Sequence, residues 1–262
     1  MKPSFVHLRL HTEYSVTNGL LQIPVLMEKV AQLRMPALAL TDQGNLYAAV
    51  KFYQSAYQFG IKPIIGIDIN VTDDGSQSYR LTLLCQNQLG YQNLLKLVSQ
   101  SFLEGQKNDQ PLIHRDWLSP YSLGLIAISG GIEGNIGQAL LAGDFAQAKS
   151  SLILWQALFP DRFYLEVSRI GRPNEASYIE AAAEFAARHS IPLVATNEAC
   201  FLGPSDFEAH EARVCIQMGV TLNDPNRPRL YQDQQYLRTP AEMASLFSDM
   251  PEALENAIEI SK

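Results

Sequence analysis

Apolar and polar positions alternate along this chain in a way that divides it into short strands and amphipathic helices by turns. Residues 5–10 read as a strand running into a polar loop. Side chains two apart in a strand share a face, so His7, Arg9 and His11 lie on one side and Leu8 and Leu10 on the other. A helical apolar spacing covers residues 23–33, with Pro24 tolerated in the first turn. Residues 37–40 form a second strand that ends in Thr41-Asp42-Gln43-Gly44-Asn45, ahead of a helix over 46–59. The third strand spans 62–71, and Asp73-Asp74-Gly75 turns it into a hairpin partner over 79–85. A helix over 90–102 follows, with Leu94, Leu95, Leu97 and Val98 inward, then a polar loop over 104–111. A strand at 123–129 closes on Gly130-Gly131-Ile132-Glu133-Gly134-Asn135, and helices at 136–141 and 145–158 come next. Strands at 163–167 and 193–196 flank an alanine-rich helix over 174–189. The remainder reads as a helix over 205–218, an extended stretch over 223–229 set by Pro225 and Pro228, and short helices at 240–247 and 251–260 that each open with proline.

Seven strands separated mostly by helices predict an α/β fold with a parallel sheet and right-handed crossovers, as a closed barrel or an open doubly wound sheet. The pattern contains no repeat, low-complexity tract or domain-breaking linker, so residues 1–262 are expected to form one domain. The 47% hydrophobic and 18% charged composition fits a globular chain with a large core. A net charge of -7 argues against gripping nucleic acid directly, which takes a basic surface. Cys85, Cys200 and Cys215 are odd in number and lack metal-binding spacing, which points to a reducing compartment. After Lys2 there is no signal-peptide core, and no apolar run approaches membrane length, so the expected location is the cytoplasm with no membrane partner.

Sites in parallel α/β folds lie beyond the carboxyl ends of the strands. The residues there are Arg9 and His11, Asp42 and Gln43, Asp68, Arg80, Ser129 with Gly130 and Gly131, Glu166 with Ser168 and Arg169, and Asn197, Glu198 and Cys200. Acids, imidazole and thiol converge as in a multi-metal hydrolase, but arginines converge with them. Asp42 fits a turn or a helix cap as well as a site role. Gly130-Gly131 fits a plain turn better than a phosphate cradle. Cys200 beside Phe201 fits a buried apolar role. His114 and His189 are expected in solvent, and His210, four residues after Asp206, fits an i,i+4 pair.

Seven segments carry a resemblance in order through the chain: FVHLRLHTEYS (5–15), PALALTDQGN (36–45), IKPIIGID (61–68), GYQNL (90–94), LIAISG (125–130), FYLE (163–166) and LVATN (193–197). Together they resemble the PHP (polymerase and histidinol phosphatase) domain family, in the branch that opens the alpha subunit of proteobacterial DNA polymerase III. The resemblance implies a distorted seven-stranded (β/α)7 TIM-like barrel preceding polymerase regions that are not in this sequence. It implies magnesium at that distant polymerase site, and as partners the rest of the alpha chain and the proofreading exonuclease subunit, with DNA reached through the holoenzyme.

Intact family members bind up to three metals, and this sequence departs from their ligand pattern. The positions concerned are Arg9, His11, Asn18, Gln43, Asp68, Arg80, Gly131, Glu198 and Cys200, with His7 and Asp42 nearby on the rim. Only His11, Asp68, Glu198 and Cys200 retain ligand chemistry, too few for a trinuclear centre. No metal or cofactor is therefore expected here, and Arg9 and Arg80 are expected to replace the metals as counter-charges to Asp68 and Glu198. The expected role is structural support and exonuclease docking; the alternative is a residual metal-dependent phosphoesterase acting on pyrophosphate or a 3′ end, and a free-standing sugar-phosphate phosphatase is a third. Residues 251–262 end as a helix with neither a glycine cap nor a polar tail, so the helices of 240–262 are expected to lead into a longer chain.

Overall fold

The computed structural model describes residues 5–107 and 110–262; Lys2 in the opening stretch, and Asn108 and Asp109 in the expected 104–111 loop, lie outside them. In chain order the elements are α1 (Ile23–Gln32), β1 (Ala37–Leu40), α2 (Ala49–Gln58), β2 (Lys62–Thr72), β3 (Ser78–Cys85), α3 (Gln88–Leu103), β4 (Gln106–Lys107) and β5 (Gln110–His114). There follow β6 (Leu125–Ile128), α4 (Asn135–Leu141), α5 (Phe145–Leu158), β7 (Phe163–Ser168), α6 (Glu175–His189), β8 (Leu193–Thr196), α7 (Phe207–Met218), α8 (Pro240–Leu246) and α9 (Pro251–Ser261).

The opening residues 5–11 are buried throughout, yet they are extended chain rather than the regular strand expected, with a single bridge from Leu10 to Ala199. The reason is a broken ladder. On one side Ala39 N–H donates to His7 O (2.9 Å) and Thr41 N–H to Leu10 O (3.1 Å). On the other, His11 N–H donates to Ala199 O (2.9 Å) and Ala199 N–H to Arg9 O (3.2 Å). The Thr41 hydroxyl takes the Leu10 N–H at 2.8 Å, replacing a backbone partner. This sparse bonding still ties β1 to the stretch after β8.

The main sheet runs β4-β5-β2-β3-β6-β7-β8, with β1 also on β2. It is mixed, which corrects the expectation of a parallel sheet: β3 is antiparallel to both β2 and β6. The Asp73–Gly75 turn is too short for a crossover, so the chain can only fold back on itself. Within that hairpin Thr72 Oγ accepts from Gly75 N–H at 2.8 Å. The register sets Asp68 opposite Thr82 and Asn70 opposite Arg80, so Asp68 and Arg80 emerge on one face.

Apolar residues pack into two clusters. The larger joins β2, β3, β6, β7 and β8 to α3–α6, α8 and α9 around Trp155; the smaller joins α1, α2 and β1. Leu8 enters the first and Leu10 the second. Of the four α3 residues expected inward, Leu94 and Leu97 are buried, while Leu95 is exposed and Val98 half-buried, because the four span too wide an arc for one contact face. Met243, Phe247, Leu254 and Ala257 of α8 and α9 sit in the larger core, and Asn256 Nδ2 donates to Leu193 O at 2.7 Å. α9 packs against β8, and α8 packs on α9.

Other local expectations also change. The 104–111 segment contributes β4 and the start of β5, paired antiparallel. Residues 223–229 turn instead of extending: Asp224 N–H donates to Thr221 O (3.2 Å) and Arg227 N–H to Asp224 O (3.3 Å). Pro225 occupies the second position of that turn, where its fixed φ fits as well as in extended chain. His114 and His189 are partly buried, against Trp117 and Phe185 at 5.2 and 4.6 Å. Among the described residues no helix is long and apolar enough to cross a membrane.

Gly130 and Gly131 end β6 at φ 75 and 58, the left-handed region that glycine enters without a Cβ penalty. A Cβ at Gly130 would also overlap the carbonyl of Arg80. Gly130→Ala should therefore lower stability by at least about 1–2 kcal/mol, the left-handed cost alone. Chemical denaturation measures this, and an unchanged midpoint would refute the close approach.

Candidate functional site

The strand ends hold a closed cluster of charged side chains organised around Arg9, which is 2% exposed. Its guanidinium has five N–H donors in a fixed fork. Nε donates to Asp68 Oδ2 at 2.9 Å. NH1 reaches Glu166 at 3.3 Å, and NH2 lies 3.5 Å from both Glu133 and Glu198. One buried cation thus contacts four carboxylates. A second guanidinium closes the mouth: Arg172 meets Glu198 at 2.6 Å and Glu133 at 3.1 Å.

Each acid is positioned by its element. Asp68 projects from the middle of β2, where Thr82 across the ladder donates to Oδ1 at 2.5 Å. His11 Nε2 lies 2.9 Å from Asp68 Oδ2 and carries the proton in that contact. Glu166 projects from β7, with its backbone N–H on Ser129 Oγ at 3.0 Å and the Thr196 hydroxyl donating to its carboxylate. Glu198 follows β8 at φ 41, a strained conformation for a residue with a Cβ. Glu133 comes from the turn that Gly130 and Gly131 make possible, and Gly131 itself leaves room for Glu166 Oε2 only 3.4 Å from where its Cβ would stand.

Burial alone would raise the pKa of Asp68, but Arg9, His11 and Arg80 reverse this and hold it well below the usual carboxylate range. Burial likewise acts to raise Glu133, and Arg172, Arg80 and Arg9 bring it down. At Glu166 burial wins over Arg9 and the Thr196 hydrogen bond, so its pKa is raised. Burial opposes the Arg9 charge, yet Asp68 and the three glutamates keep that guanidinium protonated.

The expected ligand positions fall into distinct groups. His11, Asp68 and Glu198 come together with donor atoms within 4.8 Å of one another. Cys200 is buried with Sγ 3.8 Å from His11 Nδ1, and burial followed by the Glu198 charge pushes its thiol pKa well up, away from the thiolate a metal needs. Asn18, Gln43 and Arg80 line the adjacent cavity of about 460 Å³. With its oxygen turned towards Arg80, the Gln43 amide accepts from NH1 and NH2 at 2.9 and 3.1 Å.

Arg80 acts on Asp68 and Glu133 through its field and makes no ion pair with either among the described residues, which corrects its expected role as a direct counter-ion to Asp68 or Glu198. Its position on β3, opposite Asn70 rather than Asp68, sets it two residue pairs along the ladder. Arg172 takes the contact with Glu198 instead. It was not apparent in sequence because it lies in a loop four residues past β7; Glu133 was hidden inside a glycine-rich turn. A scan of every arginine beyond a strand end would have found Arg172.

His7 and Asp42 stand apart from the cluster. His7 Nε2 donates to Arg238 O at 2.8 Å, and burial lowers its pKa to about 4. Asp42 ties down the loop after Leu10, accepting from Thr12 N–H and Ser15 Oγ, both at 2.6 Å. Burial raises its pKa against those hydrogen bonds. His210 does not pair with Asp206: its Nε2 lies 3.2 Å from Asn18 O, while Asp206 accepts from Gly203 N–H. Arg169 turns away to pair with Asp249.

Arg9 and Arg172 compete with any metal for the oxygens of this donor set. Asp68 Oδ2 is already shared by Arg9 and His11, and each Glu198 oxygen faces a guanidinium. A divalent ion about 4–6 Å from Arg9 would meet a repulsion of roughly 5–8 kcal/mol at an effective dielectric near 20, set against its attraction to the surrounding acids.

Fold and site together define an α/β domain with a cluster of ionised side chains where its strands end. The profile of the PHP domain matches residues 7–170, and the chain belongs to that family. Over its full length it is 53% identical to the DNA polymerase III subunit alpha of Pseudomonas aeruginosa and 48% identical to that of Escherichia coli K12. The similarity is to the N-terminal region of such subunits, and the chain spans 22% and 23% of the length of these two relatives. An amidohydrolase from Chromobacterium violaceum, solved with bound sulfate and no metal, shares the fold at a TM-score of 0.51 and 12% identity, over 79% of this chain and 96% of that one.

Removing Arg9 strands several buried acids, so Arg9→Ala should destabilise the domain by about 3–5 kcal/mol at neutral pH. The depressed Asp68 pKa contributes stability above the ordinary carboxylate range, lost as pH falls through its folded value. Without Arg9 the carboxyls protonate more readily, so the gap between variant and parent should narrow on acidification. Urea denaturation across pH measures both effects; equal stability at neutral pH would show that Arg9 does not hold the acids together.

Proposed function

We propose that this region is a non-catalytic PHP domain of a replicative DNA polymerase III alpha subunit. Its role there is to support the polymerase part of the longer chain and to dock the proofreading exonuclease subunit. The Arg9 guanidinium among Asp68, Glu133, Glu166 and Glu198 carries the non-catalytic half of this reading, because it occupies with fixed charge the place where a hydrolytic PHP site needs exchangeable ions. Similarity along the full chain to alpha subunits supports the other half. In this reading residues 1–262 are one domain, the parent enzyme transfers nucleotidyl groups to a primer with magnesium at a distant site, and DNA is met through the holoenzyme. Three free cysteines agree with a cytoplasmic setting.

The spacing of His11, Asp68 and Glu198 favours a second reading, a residual metal-dependent phosphoesterase. It requires an ion to displace Arg9 from Asp68. Protein purified without chelator should carry no stoichiometric zinc or manganese, should not hydrolyse a generic phosphodiester, and should melt at the same temperature with added zinc. Arg9→His with Gln43→His and Arg80→His removes the competing charges and supplies imidazoles. Zinc should then raise the melting temperature of that variant, since an ion at about 100 times its Kd stabilises a folded state by roughly 2.7 kcal/mol. Two or more ions per parent chain, with turnover abolished by Asp68→Asn, would replace the first reading with the second.

A further inference from the structure

The opposite end of the strands carries an apolar groove of about 700 Å³, remote in chemistry from the Arg9 cluster. Its floor includes Ile64 and Ile65 at the start of β2, Ile126 of β6 and Tyr164 of β7. One wall is α2, whose Val50 and Tyr53 remain 67% and 48% exposed. Tyr47 and Tyr57 continue this stripe at helical spacing and are as exposed as Val50. The smaller core takes only the other face of α2, through Ala49, Phe52 and Ala56. A contiguous apolar patch of this kind marks a surface that something covers.

The far wall is α9, with Glu259, Ile260 and Lys262 lining the groove. Lys62 Nζ on the floor strand donates to Ser261 O at 2.9 Å and to Lys262 O at 2.6 Å, fixing the end of α9 beside the cavity. Alpha subunits similar to this chain are more than four times its length, the chain spanning 22–23% of them. Polypeptide that follows residue 262 in such a subunit leaves α9 at the edge of the groove. The groove residues offer no excess of either charge, with Lys62 and Lys262 against Asp161 and Glu259 and with Arg162 NH1 spent on the carbonyls of Ser122 and Leu125. An apolar segment therefore fits better than a charged one.

We propose that this groove is the docking surface for polypeptide C-terminal to residue 262 of the full-length alpha subunit, which lays an apolar segment against Val50, Tyr53 and the β2 floor. The proposal rests on the reading of the region as part of such a subunit, but not on whether the Arg9 cluster is catalytic. The test uses the full-length subunit carrying Val50→Cys, labelled with a maleimide in native buffer and in denaturant, with the unsubstituted subunit as background for the native thiols. A covered groove should slow native labelling at this position by about tenfold or more. Val50→Glu with Tyr53→Glu, in the same full-length chain, should lower the unfolding midpoint and restore fast labelling at an added Tyr57→Cys. Native labelling of Val50→Cys within tenfold of the denatured rate overturns the proposal. So does protection that disappears on dilution together with a dimer-to-monomer shift in sedimentation, which would identify a second copy as the cover. Metal content and phosphodiesterase assays on the same preparations report on the Arg9 reading independently.

Discussion

Four carboxylates can share a water-poor cavity only if positive charge stands among them. Arg9 meets that constraint, and much of the site's detail follows from it. A lysine would present a compact charge, whereas the guanidinium fork reaches Asp68, Glu166, Glu133 and Glu198 in different directions at once. The interaction is strongest at Asp68, where distance is shortest and burial complete. It is weaker at Glu166, whose raised pKa shows that desolvation exceeds the attraction there. Arg172 completes the balance at the solvent edge, where half-exposed Glu133 and buried Glu198 need a partner of their own.

The backbone around Arg9 is arranged to hold this cluster. The opening segment gives up regular strand pairing, and Thr41 and Asp42 compensate with side-chain hydrogen bonds to Leu10, Thr12 and Ser15. Gly130 and Gly131 turn the chain after β6 tightly enough to bring Glu133 to the mouth, while Glu198 accepts a strained φ to face both arginines. Such strain persists where surrounding contacts over-determine it. The hydrogen bonds of Asn197 Nδ2 to Tyr236 O (2.7 Å) and of Cys200 N–H to Gln235 O (2.8 Å) supply those contacts next to Glu198.

The cluster and the apolar groove occupy opposite ends of the same strands and obey different physics. At one end Arg9 and Arg172 are paired with four acids. At the other, Val50 and Tyr53 of α2 remain exposed while Ala49, Phe52 and Ala56 face the smaller core.

Much of the fold was legible in the sequence because local periodicity reports burial. The positions of α5 and β8 were given to the residue, and α1, α4, α6 and α9 within one or two residues. The convergence of Arg9, Asp68, Glu198 and His11 on one rim was also legible from strand alternation and the α/β rule. Tertiary structure decided what periodicity does not encode. Sheet direction around β3 depended on the length of one turn, and the pairing of residues 5–11 on partners as distant in the chain as Ala39 and Ala199. Which arginine pairs with which acid was also decided there: two residue pairs along the β2–β3 ladder separate Arg80 from Asp68, and a loop past β7 brings Arg172 to Glu198. Charge type can be read from a sequence, but pairing is a matter of ångströms set by segments distant in the chain.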